Sequence, residues 1–141
     1  LNFYSMVTES LAMHVPIDKS PSKIWNLTKL DSLQVRLYGA TLPAEIQYLT
    51  NLQYLQLLQL SGTIPTVIGL LTRLTSFHIL GENLLGTIPS EIGRLAKLEK
   101  MYFEDSDVVL SYPIPNEVCL LVTQGKLNLE LGSSEVNPGC Q

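Results

Sequence analysis

Charge is scarce in this chain. Asp, Glu, Lys and Arg make up 16% of its 141 residues, where about 25% is usual for a soluble domain. A chain that buries several apolar positions in every short unit has that balance, and so does one covered by partners over much of its surface. Net charge is -4, which argues against nucleic acid, since such footprints need a basic patch or stripe. No apolar run reaches the roughly 18 residues of a membrane span. Leu1-Asn2-Phe3-Tyr4-Ser5 has neither the basic start nor the apolar block of a secretory signal, as a mature chain or an excised piece would not.

Catalytic chemistry is equally thin. The two histidines, His14 and His78, are 64 residues apart (78 − 14), and neither belongs to an H-x-x-x-H or C-x-x-C spacing. His78 with Glu104 is a two-residue constellation, too small for a metal or an acid–base role. There is no G-x-S-x-G and no phosphate-binding glycine loop. A nucleophile with an oriented base is missing. The reading is no enzyme, no metal and no cofactor. Cysteine is nearly absent too: only Cys119 and Cys140, both late. Flanking the final unit, they suit a terminal disulfide in an oxidising compartment. The alternative is two unpaired thiols in a cytosolic cap.

What the chain does have is a returning phrase. G-T-I-P-x-x-I-G-x-L-x-x-L begins at Gly62 and again at Gly86. Extended, it gives five apolar columns. The first is Ile24, Ile46, Ile68, Ile92 and Val118; the second is Leu27, Leu49, Leu71, Leu95 and Leu121. The third is Leu30, Leu52, Leu74 and Leu98, with Gln124 in its last slot. The fourth runs Leu11, Leu33, Leu55, Phe77, Met101 and Leu127, and the fifth Met13, Val35, Leu57, Ile79, Phe103 and Leu129. Prolines recur at 21, 43, 65, 89 and 115. The offsets along the fourth column are 22, 22, 22, 24 and 26 (11→33→55→77→101→127). A phrase returning every 22 to 26 residues means a stack of like units, and all these offsets lie in the roughly 20–29-residue range of leucine-rich repeats.

Each unit should run strand, turn, prolyl bend, short helical segment. Alternation in triplets such as Leu33-Gln34-Val35 sends the outer two residues inward and the middle one outward. Proline is tolerated at a helix start, Ser90 with Glu91 beside it is a candidate cap, and Gly69 and Gly93 are read as relaxing the bend after the helical segment.

Gly62-Thr63-Ile64-Pro65 and Gly86-Thr87-Ile88-Pro89-Ser90-Glu91-Ile92-Gly93 resemble the plant-type leucine-rich repeat of receptor-like ectodomains, polygalacturonase-inhibiting proteins and algal proteins. The resemblance covers about residues 11–131. It implies an α/β solenoid: a right-handed superhelix with a parallel strand ribbon on the concave face and short helical or 3-10 segments on the convex side. It also implies binding through the concave face, a second small sheet at the G-x-I-P segments, and an extracellular or lumenal home. The chain departs from the pattern in two ways. No asparagine occupies the ladder slot, which holds Pro16, Tyr38, Leu60, Glu82 and Ser106, so curvature should be irregular. A swollen fifth unit carries Ser106 to Tyr112, read as a longer loop.

The outward strand positions form three columns: Ser10, Ser32, Tyr54, Ser76, Lys100, Lys126; Ala12, Gln34, Gln56, His78, Tyr102, Asn128; and His14, Arg36, Leu58, Leu80, Glu104, Glu130. Arg36, Tyr54, Gln56, Leu58, His78, Lys100, Tyr102 and Glu104 are the candidate partner-binding residues. Aromatic and arginine side chains among outward leucines are what protein-binding hot spots use. The plain alternative is a solvated sheet face, or one turned against another subunit. Asn26-Leu27-Thr28 fits the N-glycosylation pattern, although the repeat itself produces those letters. Thr41, Thr63 and Thr87 make a threonine row too short to carry binding of ordered water.

The whole chain, 1–141, reads as one domain: residues 1–10 a cap or worn repeat, 11–117 repeats, and 118–141 a last repeat with its cap. The expected role is non-catalytic recognition or assembly through the strand face. Alternatives are an accessory subunit of a larger complex, and an extracellular ligand or polysaccharide binder.

Overall fold

A computed structural model describes residues 10–13, 24–104, 109–110, 113–132 and 140. The expectations for residues 1–9, His14, Pro16, Pro21 and Ser106 lie outside these residues. The strands are β1 (Ser10–Met13), β2 (Ser32–Arg36), β3 (Tyr54–Gly62), β4 (Ser76–Gly86), β5 (Lys100–Glu104), β6 (Val109–Leu110) and β7 (Asn128–Leu131). Six of them form one parallel sheet in the order β1-β2-β3-β4-β5-β7, and β6 pairs with β4 off that path. Chain order is sheet order, which is the mark of a solenoid whose units touch only their neighbours.

The register follows the repeat. Leu33 lies against Leu55, Leu55 against Phe77, and Phe77 against Met101, with Val35, Leu57, Ile79 and Phe103 matched in the same way. These inward residues are fully buried, Leu33, Leu55, Leu57, Phe77, Ile79 and Met101 at 0% exposure. Each contributes on the order of 1.5–3 kcal/mol over an exposed counterpart.

Opposite the sheet the helical segments stack. Ile24–Asn26, Ala44–Tyr48, Thr66–Leu70 and Ser90–Arg94 are 3-10 turns. The column spacing explains the choice. Apolar residues at i, i+3 and i+6 have a period of three, which is that of a 3-10 helix, where i and i+3 eclipse. The bonds run on the same period. The N–H groups of Ile68, Leu71 and Leu74 donate to the carbonyls of Pro65, Ile68 and Leu71 at 3.1, 3.1 and 2.9 Å. The unit at Ile92, Leu95 and Leu98 repeats this from Pro89 at 3.1, 3.0 and 2.9 Å. Proline precedes each of the last three turns in an extended conformation (φ -73, -72 and -63°). Ser90 does not cap its turn: no side chain does, and its hydroxyl donates instead to the Glu91 carboxylate at 3.4 Å.

Gly69 and Gly93 have a different job from the one the sequence suggests. Neither has a positive φ. A Cβ on Gly69 would stand 2.5 Å from the Glu91 carbonyl oxygen, and a Cβ on Gly93 would stand 2.4 Å from the Cβ of Glu117. Their bareness lets the next unit's helical segment come close. The glycines that do need a left-handed backbone are Gly62 and Gly86 (φ 80 and 88°), which end β3 and β4 ahead of the I-P bend.

The missing asparagine has a visible consequence. Leu60 fills the slot as a fully buried residue, while Tyr38 is 53% exposed. The backbone negotiates the corner through left-handed residues, Tyr38 (φ 52°) and Gln59 (φ 55°), and the β3–β4 register shifts between Leu58 and Leu60 and again before Gly62. β3 and β4 are 9 and 11 residues long rather than triplets, because they continue past the corner. There Leu85 and Gly86 pair with Val109 and Leu110 in a second small sheet, so two residues of the segment expected to be a longer loop are a strand.

The last unit breaks the period. Asn116–Thr123 (α1) is an α-helix, with the Cys119 N–H bonded to the Pro115 carbonyl at 3.0 Å. Its greater length moves the following strand. Met101 pairs with Leu129 and Phe103 with Leu131, an offset of 28 (129 − 101) rather than 26. Leu127 is therefore buried ahead of the strand, in the place expected for Gln124, which is exposed. Cys119 and Cys140 form a disulfide, so the thiol alternative falls.

Candidate functional site

Parallel pairing puts the predicted outward residues in rows across the strands, about 4.8 Å apart from strand to strand. The middle row is Gln34, Gln56, His78, Tyr102 and Glu130. Beside it run Ser32, Tyr54, Ser76, Lys100 and Asn128 on one flank, and Arg36, Leu58, Leu80 and Glu104 on the other. The two-residue shift of β7 corrects the ends of these rows. Lys126 lies before the strand, Asn128 stands beside Lys100, and Glu130 beside Tyr102.

Tyr54, His78 and Tyr102 make the centre of this face. The His78 ring meets Tyr54 edge-on at 5.3 Å between centroids and Tyr102 edge-on at 6.0 Å. Small Ser76 next to Tyr54 leaves room for that contact. The Tyr54 hydroxyl donates to Gln56 Oε1 at 3.0 Å, which holds both side chains in place. All four are half-buried, as are Leu58 and Leu80. Partial burial, and then the Lys100 ammonium, push the His78 pKa below 6.5, with Glu130 pulling the other way. His78 is therefore neutral near pH 7 and offers an uncharged ring between two phenols.

Arg36 closes one side of the face. Its guanidinium lies 6.0 Å from the Tyr38 ring centroid, and its Nε is buried without a hydrogen-bond partner. Tyr38 belongs to the site and falls outside the predicted columns. Its left-handed backbone turns it onto the rim. Lys100 and Glu104 are exposed at the other side, where Asn128 donates to Glu130 at 2.8 Å. Among the described residues no group of three His, Cys, Asp or Glu could hold a metal. No described helix is long and apolar enough to cross a membrane.

No family model matches the chain, and the search of curated proteins finds no match. Solved structures do match. The PEPR1–AtPEP1 crystal structure is 28% identical over 87% of this chain, with a TM-score of 0.63. The Leptospira interrogans LRR protein LIC12759 is 25% identical over 92%, with a TM-score of 0.59. The LRR ectodomain of the Arabidopsis thaliana receptor kinase GASSHO1/SCHENGEN3, in complex with CASPARIAN STRIP INTEGRITY FACTOR 2, is 26% identical over 87%, with a TM-score of 0.58.

The chain folds as a leucine-rich-repeat solenoid similar to these three.

It spans 17%, 33% and 15% of those three longer chains. The leucine-rich-repeat solenoid also carries exposed apolar residues opposite the strand face. Tyr48, Leu70 and Leu120 are 56%, 46% and 57% exposed. Each stands two residues after the first apolar column, a signal present in the sequence and not read there. Asn26 and Arg94 occupy the same position in their own units, and both are exposed. A shallow groove of about 390 Å³ lies nearby, between the last 3-10 turn and α1, lined by Glu91, Arg94, Glu117 and Leu120 among others.

Proposed function

We propose that this leucine-rich-repeat protein is a non-catalytic recognition module that holds a protein or peptide partner on its strand face. The observation that carries the reading is the Tyr54–His78–Tyr102 ladder, half-buried and braced, with Arg36 and Tyr38 on its rim. Rigid aromatic and arginine side chains around partly exposed leucines bind proteins at low entropic cost. Two of the three solenoids above, PEPR1–AtPEP1 and GASSHO1/SCHENGEN3 with CASPARIAN STRIP INTEGRITY FACTOR 2, are paired with another molecule, which supports the class of role. The disulfide favours an extracellular or lumenal setting.

The test begins with capture of the partner from native extract. Arg36→Ala and Tyr102→Ala should each weaken that partner by about 2 kcal/mol or more, roughly thirtyfold, with thermal unfolding unchanged. Tyr48→Ala on the opposite side should leave affinity alone. Unchanged affinity in both strand-face variants would remove this face from the reading. A second reading, an accessory subunit of a larger assembly, draws on the low charge and the exposed Tyr48, Leu70 and Leu120. The mass of the native species separates it from a free module.

A further inference from the structure

We propose that Asn26 carries an N-linked glycan, and that this glycan covers the exposed apolar spine opposite the strand face. The inference rests on the extracellular or lumenal reading above and is independent of where the partner binds.

Three observations meet at this residue. The first is chemical. Asn26-Leu27-Thr28 is an acceptor triplet, and no other N-x-S/T with x other than Pro occurs in the chain. The second is its place in the fold. Ile24 and Trp25, the first two residues of the first described 3-10 turn, are buried, while Asn26 at its end is exposed and takes no part in any described side-chain hydrogen bond. The backbone carbonyl of Thr28, and not its side chain, accepts the Asn51 amide at 2.6 Å. Repeat packing therefore occupies the peptide and leaves the acceptor side chain to solvent. The third is compartment: the Cys119–Cys140 disulfide belongs where such glycans are added.

The neighbours say what the sugar would do. Asn26 heads a column that continues through Tyr48 and Leu70, one and two units on, 56% and 46% exposed. Successive units of a stacked parallel solenoid are about 5 Å apart. The first two sugar rings of a glycan on Asn26 reach that far and can lie over the Tyr48 ring with their apolar C–H faces. A solvated coat on this side leaves the strand face as the uncovered one.

The transfer balances simply. Asn26 Nδ2 attacks the anomeric carbon of a lipid-pyrophosphate-linked oligosaccharide. The N–C bond forms, the C–O bond breaks, and the lipid pyrophosphate leaves with that electron pair. The amide proton passes to a base of the transferase, and nothing is oxidised or reduced.

The test is secretion of the full chain from a eukaryotic cell, with mass analysis of the intact product. The expected product carries one glycan and the disulfide. Glycoamidase should remove the glycan and convert Asn26 to Asp. Asn26→Gln and Thr28→Ala should each abolish the modification, and Thr28→Ser should restore it. Folding of the variants is checked by the disulfide and by partner capture. A secreted, disulfide-bonded chain with bare Asn26 overturns the proposal, whereas reduced cysteines in the native protein would overturn the compartment reading itself. Coverage has its own readout. The bare Asn26→Gln chain should bind a hydrophobic dye more strongly than the glycosylated one, and Tyr48→Ser should erase the difference. Equal dye binding by the two forms would sink the covering role.

Discussion

The two middle units and the last one solve the same problem differently. From Ile64 to Leu98 every apolar column is filled, the helical side is a run of 3-10 turns, and Gly69 lets the units close to contact distance. From Ile114 to Leu131 the columns are patchier: Leu129 and Leu131 are only half-buried, α1 replaces the 3-10 turn, and a disulfide is added. The residue at the glycine position of the repeat is here Cys119. Where Gly69 and Gly93 make way for Glu91 and Glu117, Cys119 carries a side chain bonded to Cys140. Stacking holds the units that repeat faithfully, and a covalent link supplements the one that does not.

The largest effect should come from emptying the middle. Phe77→Ala removes a fully buried ring between Leu55 and Met101. It should cost about 3–5 kcal/mol, read as a lower denaturant midpoint. If units behave as a nearest-neighbour stack, hydrogen exchange should rise across β3 to β5 together. Protection lost in β4 alone would break the idea that the middle holds itself by stacking.

Removing the link tests the other half. Cys119→Ser with Cys140→Ser opens a loop closed by cysteines 21 residues apart. The chain-entropy estimate for such a loop is about 3 kcal/mol. The loss should fall mainly on α1 and β7, with exchange in β3 and β4 little changed. A uniform loss would mean that the last unit is no weaker than the middle.

The sequence made the middle legible because identical side chains return at identical spacing. The Leu33, Leu55, Phe77 and Met101 register and the outward Gln56, His78 and Tyr102 follow from counting alone. What counting missed has local physical causes. The two-residue slip at β7 arises because an α-helix uses more residues than a 3-10 turn, and nothing in the Val118–Leu121 spacing distinguishes them. The extension of β3 and β4 depends on left-handed backbone at Gln59, a non-glycine residue that gives no warning. Gly69 and Gly93 were visible as a matched pair, but close approach is a property of two units and cannot be read from one. Tyr38 was hidden for the same reason as Gln59.

Gly69→Ala probes that closeness at smaller cost. The new Cβ would meet the Glu91 backbone, which has no flexible end to move aside. Overpacking of this kind costs about 1–3 kcal/mol, seen as a drop in melting temperature. The same change at Gly39, where an added Cβ would meet no side chain or backbone beyond its chain neighbours within 4 Å, isolates the separate cost of its left-handed backbone (φ 82°). A neutral Gly69→Ala would mean the middle units are not in contact there.

The smallest effect tests where the last unit meets the middle. His78 on β4 has its pKa lowered, first by burial and then by Lys100, while Glu130 on β7 raises it. That assignment holds only if β7 places Glu130 beside Tyr102, the register in which α1 pushes the strand on by two residues. Glu130→Gln should therefore lower the His78 pKa further, and Lys100→Gln should raise it, both followed by imidazole NMR shifts. As pH falls through 6.5 the unfolded chain takes up the His78 proton first. Stability declines from there and levels off once pH passes below the folded pKa. Glu130→Gln should extend that decline to lower pH. An unmoved His78 titration in Glu130→Gln would put Glu130 at a distance, and would restore the shorter spacing in which Asn128 faces Tyr102.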